Sequence, residues 1–110
     1  MDERERRIGR NEALFREVNE RVERLTQRFQ ARDVPMEILC ECGDSTCHER
    51  IEITTAAYEQ LRSEPTHFAI EPGHEEAGVE SVIGRHDGYV IVQKYRGGAA
   101  EIAEQLDPRS

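Results

Sequence analysis

Cys40, Cys42 and Cys47 are the whole thiol content of the chain and stand within eight residues, spaced C-x-C-x4-C. Thiolates gathered this closely repel one another unless a cation binds them, and a divalent ion turns the cluster into a cross-link. Zinc takes sulfur and nitrogen donors in a tetrahedron, and three Cys with one His form a recognised closed site. Glu41, Gly43, Asp44, Ser45 and Thr46 are polar turn-formers, which argues against the thiols being merely small buried apolar groups. Gly43 and Asp44 suit the sharp turn of a knuckle, Gly by reaching positive φ and Asp by bonding nearby amides. A redox switch, in which clustered thiols pass through sulfenic acid to a disulfide, is the competing chemistry.

Four histidines compete for the fourth position. His48 adjoins Cys47 and must double back to share its metal. His67 falls in a strand-like run, and His86 stands beside the Asp87-Gly88 turn. His74 follows Pro72-Gly73 in a loop that can fold onto the cysteines, with Glu75 or Glu76 placed to accept its other ring N–H. His74 is therefore the expected ligand, with His48 and His86 as second choices.

These residues need elements to hold them. Met36–Leu39 reads as extended, and residues 49–54 alternate polar and apolar as a half-buried strand does. The two predict a hairpin with the metal at its tip. Thr54 or Thr55 caps a helix through about Ser63, with Tyr58 and Leu61 facing inward. Thr66–Ile70 is another short strand, while Val79–Ile83 fits a helical turn or a strand. Asp87-Gly88 is a tight-turn signal opening Tyr89–Tyr95, the expected central strand. Residues 97–110 are expected as a flexible tail, with a loose helix over Ala99–Leu106 and fraying beyond.

Upstream, residues 9–33 predict one long amphipathic helix, stopped at Val34 because the residue before a proline is pushed out of helical geometry. Phe15, Val18, Val22, Leu25 and Phe29 step by 3, 4, 3 and 4, the narrow seam of a pairing helix. The row predicts an association helix, for a homodimer or a protein partner, unless it packs on the chain's own sheet. The fold class is thus α+β: a long N-terminal helix over 1–34, then a zinc-stapled domain over 35–96 with a small antiparallel sheet and one short helix.

Composition bounds the function. Of 110 residues, 36% are hydrophobic and 5% aromatic, with no Trp, while 35% are charged. So thin a core calls for a staple, and a metal is one. Residues 1–33 hold nine Arg and eight acids (net +1), and the remainder holds six basic and fifteen acidic residues (net −9), which sum to the −8 of the chain. An acidic metal-bearing half argues against nucleic-acid binding, which relies on clustered Lys and Arg. No stretch reaches the roughly 18 apolar residues of a membrane span, and the charged first residues are not a secretory signal. A cytosolic setting follows, where thiols stay reduced. No phosphate loop is present, and a closed Cys3His site lacks the open position of catalytic zinc. A binding protein rather than an enzyme is expected.

The run Cys40-Glu41-Cys42-Gly43-Asp44…Cys47, followed by Tyr58-Glu59…Arg62…Pro65…Phe68, Pro72-Gly73-His74-Glu75 and Arg85-His86-Asp87-Gly88-Tyr89, resembles a family of small bacterial proteins without an assigned activity. Residues 11–20 resemble its N-terminal helix. Similar segments are appended to bacterial signalling proteins. The resemblance implies that the three cysteines and His74 act as one unit, and it implies no reaction.

Overall fold

The computed structural model describes residues 3–29 and 35–109. Helix α1 (Glu3–Phe29) leads to a hairpin of β1 (Pro35–Leu39) and β2 (Arg50–Thr54), then to helix α2 (Thr55–Leu61). Strands β3 (His67–Ile70), β4 (Glu80–His86) and β5 (Tyr89–Lys94) follow, and helix α3 (Gly98–Gln105) comes last. This is the expected α+β fold, with the antiparallel strands divided between a two-stranded sheet and a three-stranded sheet of order β3-β5-β4. The expected stop of the first helix at Val34 lies outside the described residues.

Alternation sets the two sheets. In β1 and β2 the side chains of Met36, Ile38, Ile51 and Ile53 point to one buried face, joined there by Tyr58 and Leu61 of α2. Thr54 caps α2 by accepting from Ala57 N at 3.1 Å. Phe68, Ile70, Val90 and Val92 form a second apolar cluster with Cys40, Cys42 and Ala103, so α3 and the knuckle cover one face of the three-stranded sheet. β5 is central, and of the residues that read either way Val79 lies in the turn before β4 while residues 80–83 enter it, with a bulge between Val82 and Gly84.

Helix α1 departs from its apolar pattern. Its buried side chains include Glu12, Arg16, Asn19, Glu20 and Glu23, whereas Val18 and Leu25 of the expected seam are exposed and Phe15 and Val22 are half-buried. The side chain of Phe29 lies outside the described residues. At 100° per residue the seam is turned by roughly 110° from the buried side. Charged side chains win the interface because each meets a partner there. Arg16 donates to Pro65 O at 2.8 Å and to His67 O, and lies 3.6 Å above the centroid of the Phe68 ring. Asn19 bonds both backbone groups of Leu39, each at 2.8 Å, and so completes the outer edge of β1. Lys94 pairs with Glu12 and Glu80.

The helix expected over Ala99–Leu106 is α3, and it is packed and not loose, with Ala99, Ala100 and Ala103 buried. Beyond it, where fraying was expected, Arg62 pairs with Glu20 at 2.6 Å and with Asp107. Arg109 reaches Glu20 at 2.7 Å, Glu23 at 2.9 Å and Glu59 at 2.6 Å. Gly9 lets the last helix lie close to α1, since a Cβ there would stand 2.8 Å from Ile102 Cβ.

Candidate metal centre

The knuckle grows out of the β1–β2 hairpin. Cys40 N donates to Glu49 O at 3.0 Å, carrying the pairing one step past the strands. Asp44 then turns the chain. Its Oδ1 accepts from Thr46 N at 2.9 Å and Thr46 Oγ1 at 2.7 Å, which holds the carboxyl below its usual range. Cys47 N closes the turn on Asp44 O at 3.1 Å. Gly43 serves differently from expectation, because its φ is not positive. A Cβ there would lie 2.5 Å from Ile8 Cγ2, so glycine is needed for close approach to α1. Asn11 fixes that approach by donating to Gly43 O at 2.9 Å.

The fourth donor comes from the Glu71–His74 turn. Pro72 fits its second position, Gly73 supplies φ +89° at the third, and His74 N bonds Glu71 O at 3.0 Å. Glu71 N donates to Cys40 Sγ at 3.2 Å, locking this turn against the knuckle. His74 Nδ1 consequently stands 3.6 Å from both Cys40 Sγ and Cys47 Sγ. Donor atoms of Cys40, Cys42, Cys47 and His74 all lie within 4.8 Å of one another. Bond lengths of about 2.3 Å for sulfur and 2.0–2.1 Å for nitrogen give a tetrahedral S···N edge of about 3.6 Å. The Cys3His group is positioned to bind a metal.

The sulfur electrostatics fit a cation at the centre. Backbone amides act to lower each thiol: Glu71 at Cys40, Asp44 at Cys42 and Glu49 at Cys47. Within the trio, the neighbouring Cys40 lowers the Cys42 thiol to about 5, while Cys42 and burial push Cys40 up. Burial raises Cys47. A divalent ion binding the trio would have to displace the protons that Cys40 and Cys47 retain, which ties metal uptake to proton release.

Of the histidines weighed from sequence, only His74 joins the cluster. His48 is exposed and stays outside it. His86 stacks on Tyr89 with ring centroids 4.8 Å apart. The support anticipated for His74 differs as well, since Glu76 pairs with Arg4 at 3.6 Å and Glu75 is exposed.

Sequence reasoning missed Glu41. It stands between Cys40 and Cys42, wholly buried, and accepts from Arg16 at 3.2 Å, Asn19 at 3.1 Å, Tyr58 at 2.7 Å and Ala69 N at 3.1 Å. Its own N–H donates to Ala69 O at 2.9 Å. Alternation along extended chain was the available signal: with Cys40 and Cys42 on one side, the residue between them faces the other way. Glu41 therefore ties the knuckle to α1, α2 and β3 at once.

No protein-family model, curated protein or solved structure matches this chain. Among the described residues, no helix is long and apolar enough to cross a membrane.

Proposed function

We propose that the chain is a small cytosolic zinc-binding protein whose site is structural, acting as a protein-interaction or regulatory module and not as an enzyme. The carrying observation is the convergence of three thiols and one imidazole within 4.8 Å of one another, with His74 Nδ1 3.6 Å from two of the sulfurs. Thiolate-rich sets select zinc over hard cations such as magnesium and calcium, and four protein donors leave no open position for a reacting water. Zinc here joins the hairpin to the Glu71–His74 turn, a cross-link that a thin core needs. The interaction role is supported by α1, which leaves part of its apolar row outside the fold and offers it to a protein partner or a second copy.

A specific feature favours one second reading, a thiol sensor that releases zinc on oxidation. Cys47 and His74 are half-buried while Cys40 and Cys42 are buried, so an oxidant meets one edge of the site first. Titrating metal-free protein with zinc tests both readings. We expect one ion per chain, a higher melting temperature on loading, and far weaker affinity in His74→Ala than in His48→Ala or His86→Ala. Absence of zinc uptake would sink the metal reading, and equal affinities would remove His74 from the site. Zinc loss at low peroxide, reversed by a thiol reductant, would put the sensor ahead.

A further inference from the structure

Leu14, Val18 and Leu25 are 59%, 40% and 56% exposed, in a chain with little apolar material to spare. At 100° per residue they fall within about 40° of one another on α1, on the side away from Glu12, Arg16 and Glu23. Their line runs about 16 Å at 1.5 Å per residue. Half-buried Phe15 and Val22 border it, and Val22 also touches the apolar core beneath.

Arg7, Arg10, Arg21 and Arg28 are exposed along the same side, against exposed Glu3 and Glu17. Arg21 stands within the apolar line itself and pairs with Glu17 at 3.5 Å. This side is therefore basic, on a protein whose net charge is −8. The helix owes that asymmetry to its fold: Glu12, Glu20 and Glu23 are drawn inward to Lys94, Arg62 and Arg109. What is left outside is an amphipathic strip of leucine, valine and arginine.

Resting on the interaction reading above, we infer that this strip docks an acidic amphipathic helix of another protein. Helix-on-helix docking matches apolar anchors at i, i+4 and i+11, and Glu or Asp flanking the partner's seam would meet the arginines. A second copy is the poorer occupant, because a two-fold contact places the same basic side chains on both surfaces. A nucleic-acid duplex would gain from the arginines but leave the leucines and valine without apolar cover.

The test uses full-length, zinc-loaded protein, isotope-labelled for NMR. Sedimentation velocity comes first, followed by titration with four probes. They are a helical peptide with a Leu seam flanked by Glu, its Lys-flanked counterpart, phosphatidylglycerol vesicles and a short DNA duplex. We expect a monomer and saturable shifts at Leu14, Val18, Arg21 and Leu25 with the Glu peptide alone. Leu14→Asp/Leu25→Asp should weaken that binding by at least about tenfold, with zinc stoichiometry unchanged because both positions are exposed. A dimer dissociated by the double variant would overturn the acidic partner and keep the interaction reading. Preference for the Lys peptide would do the same. Binding to vesicles or duplex in place of peptide would overturn both, and silence from all four probes would overturn the acidic-helix inference.

Discussion

The knuckle and the buried side of α1 both gather ionisable side chains, and they resolve the cost of doing so in opposite ways. Along α1 the charges satisfy one another: Arg16 with Glu41, Arg62 with Glu20, Lys94 with Glu12 and Glu80. At the knuckle the donors are alike, three thiols and an imidazole converging on one point, and nothing in that group supplies the compensating cation. A buried network of mixed sign finds its charge partners within the chain, even though Glu12 Oε1, Arg16 Nε, Glu23 Oε2 and Arg62 Nη1 make no hydrogen bond. A cluster of one chemical kind needs something from outside. The comparison shows why clustered cysteines announce a ligand while buried acids and arginines do not. Glu41 belongs to both regions, being the neighbour of Cys40 and Cys42 and the acceptor for Arg16, Asn19 and Tyr58.

Breaking that shared residue should have the largest effect. Glu41→Ala strands the Arg16 guanidinium and removes the acceptor for Asn19 and Tyr58, and loss of one partner from a buried pair costs about 3–5 kcal/mol. Chemical denaturation should show this loss, and a chelator-competition titration should show weaker zinc binding in the same variant. Unchanged zinc affinity alongside the stability loss would mean that the regions are independent.

A smaller effect is expected where the knuckle touches the helix by shape alone. Gly43→Ala drives a methyl to 2.5 Å from Ile8 Cγ2, an overpacking worth about 1–3 kcal/mol. Shortening its neighbour in Gly43→Ala/Ile8→Val should recover part of the loss. If the single variant melts with wild type, the close approach has no energetic consequence.

The smallest expected effect sharpens the charged side. Burial raises the Glu12 carboxyl to about 8, with Lys94 opposing and Glu80 adding to the rise. Its folded pKa is above its unfolded value of 4.5, so the folded chain binds the extra proton between them. The contribution is full below about 4.5 and is lost as pH climbs through about 8. Stability of zinc-loaded protein should therefore fall between pH 6 and 8. Glu12→Gln should reduce that slope by on the order of 1 kcal/mol across the window. Parallel curves for the two proteins would show that Glu12 releases no proton there.

What was legible in the sequence was what neighbouring residues decide together. The hairpin, the Thr54 cap and the Asp87-Gly88 turn follow from alternation and turn chemistry over a few residues, and so does the central place of Tyr89–Lys94. The three cysteines pointed to a site that could hold a metal because they are close along the chain. Tertiary structure alone decided the rest. His74 is 34 residues from Cys40, and what distinguishes it from the other histidines is a turn tied by Glu71 to a cysteine sulfur. The periodicity of α1 marks an apolar row, but periodicity registers only the preference of each side chain for leaving water. Burial of Glu12, Arg16 and Asn19 depends on partners that include Lys94, 82 residues beyond Glu12. No local pattern carries that energy, because an arginine is costly or stabilising to bury according to what stands opposite it.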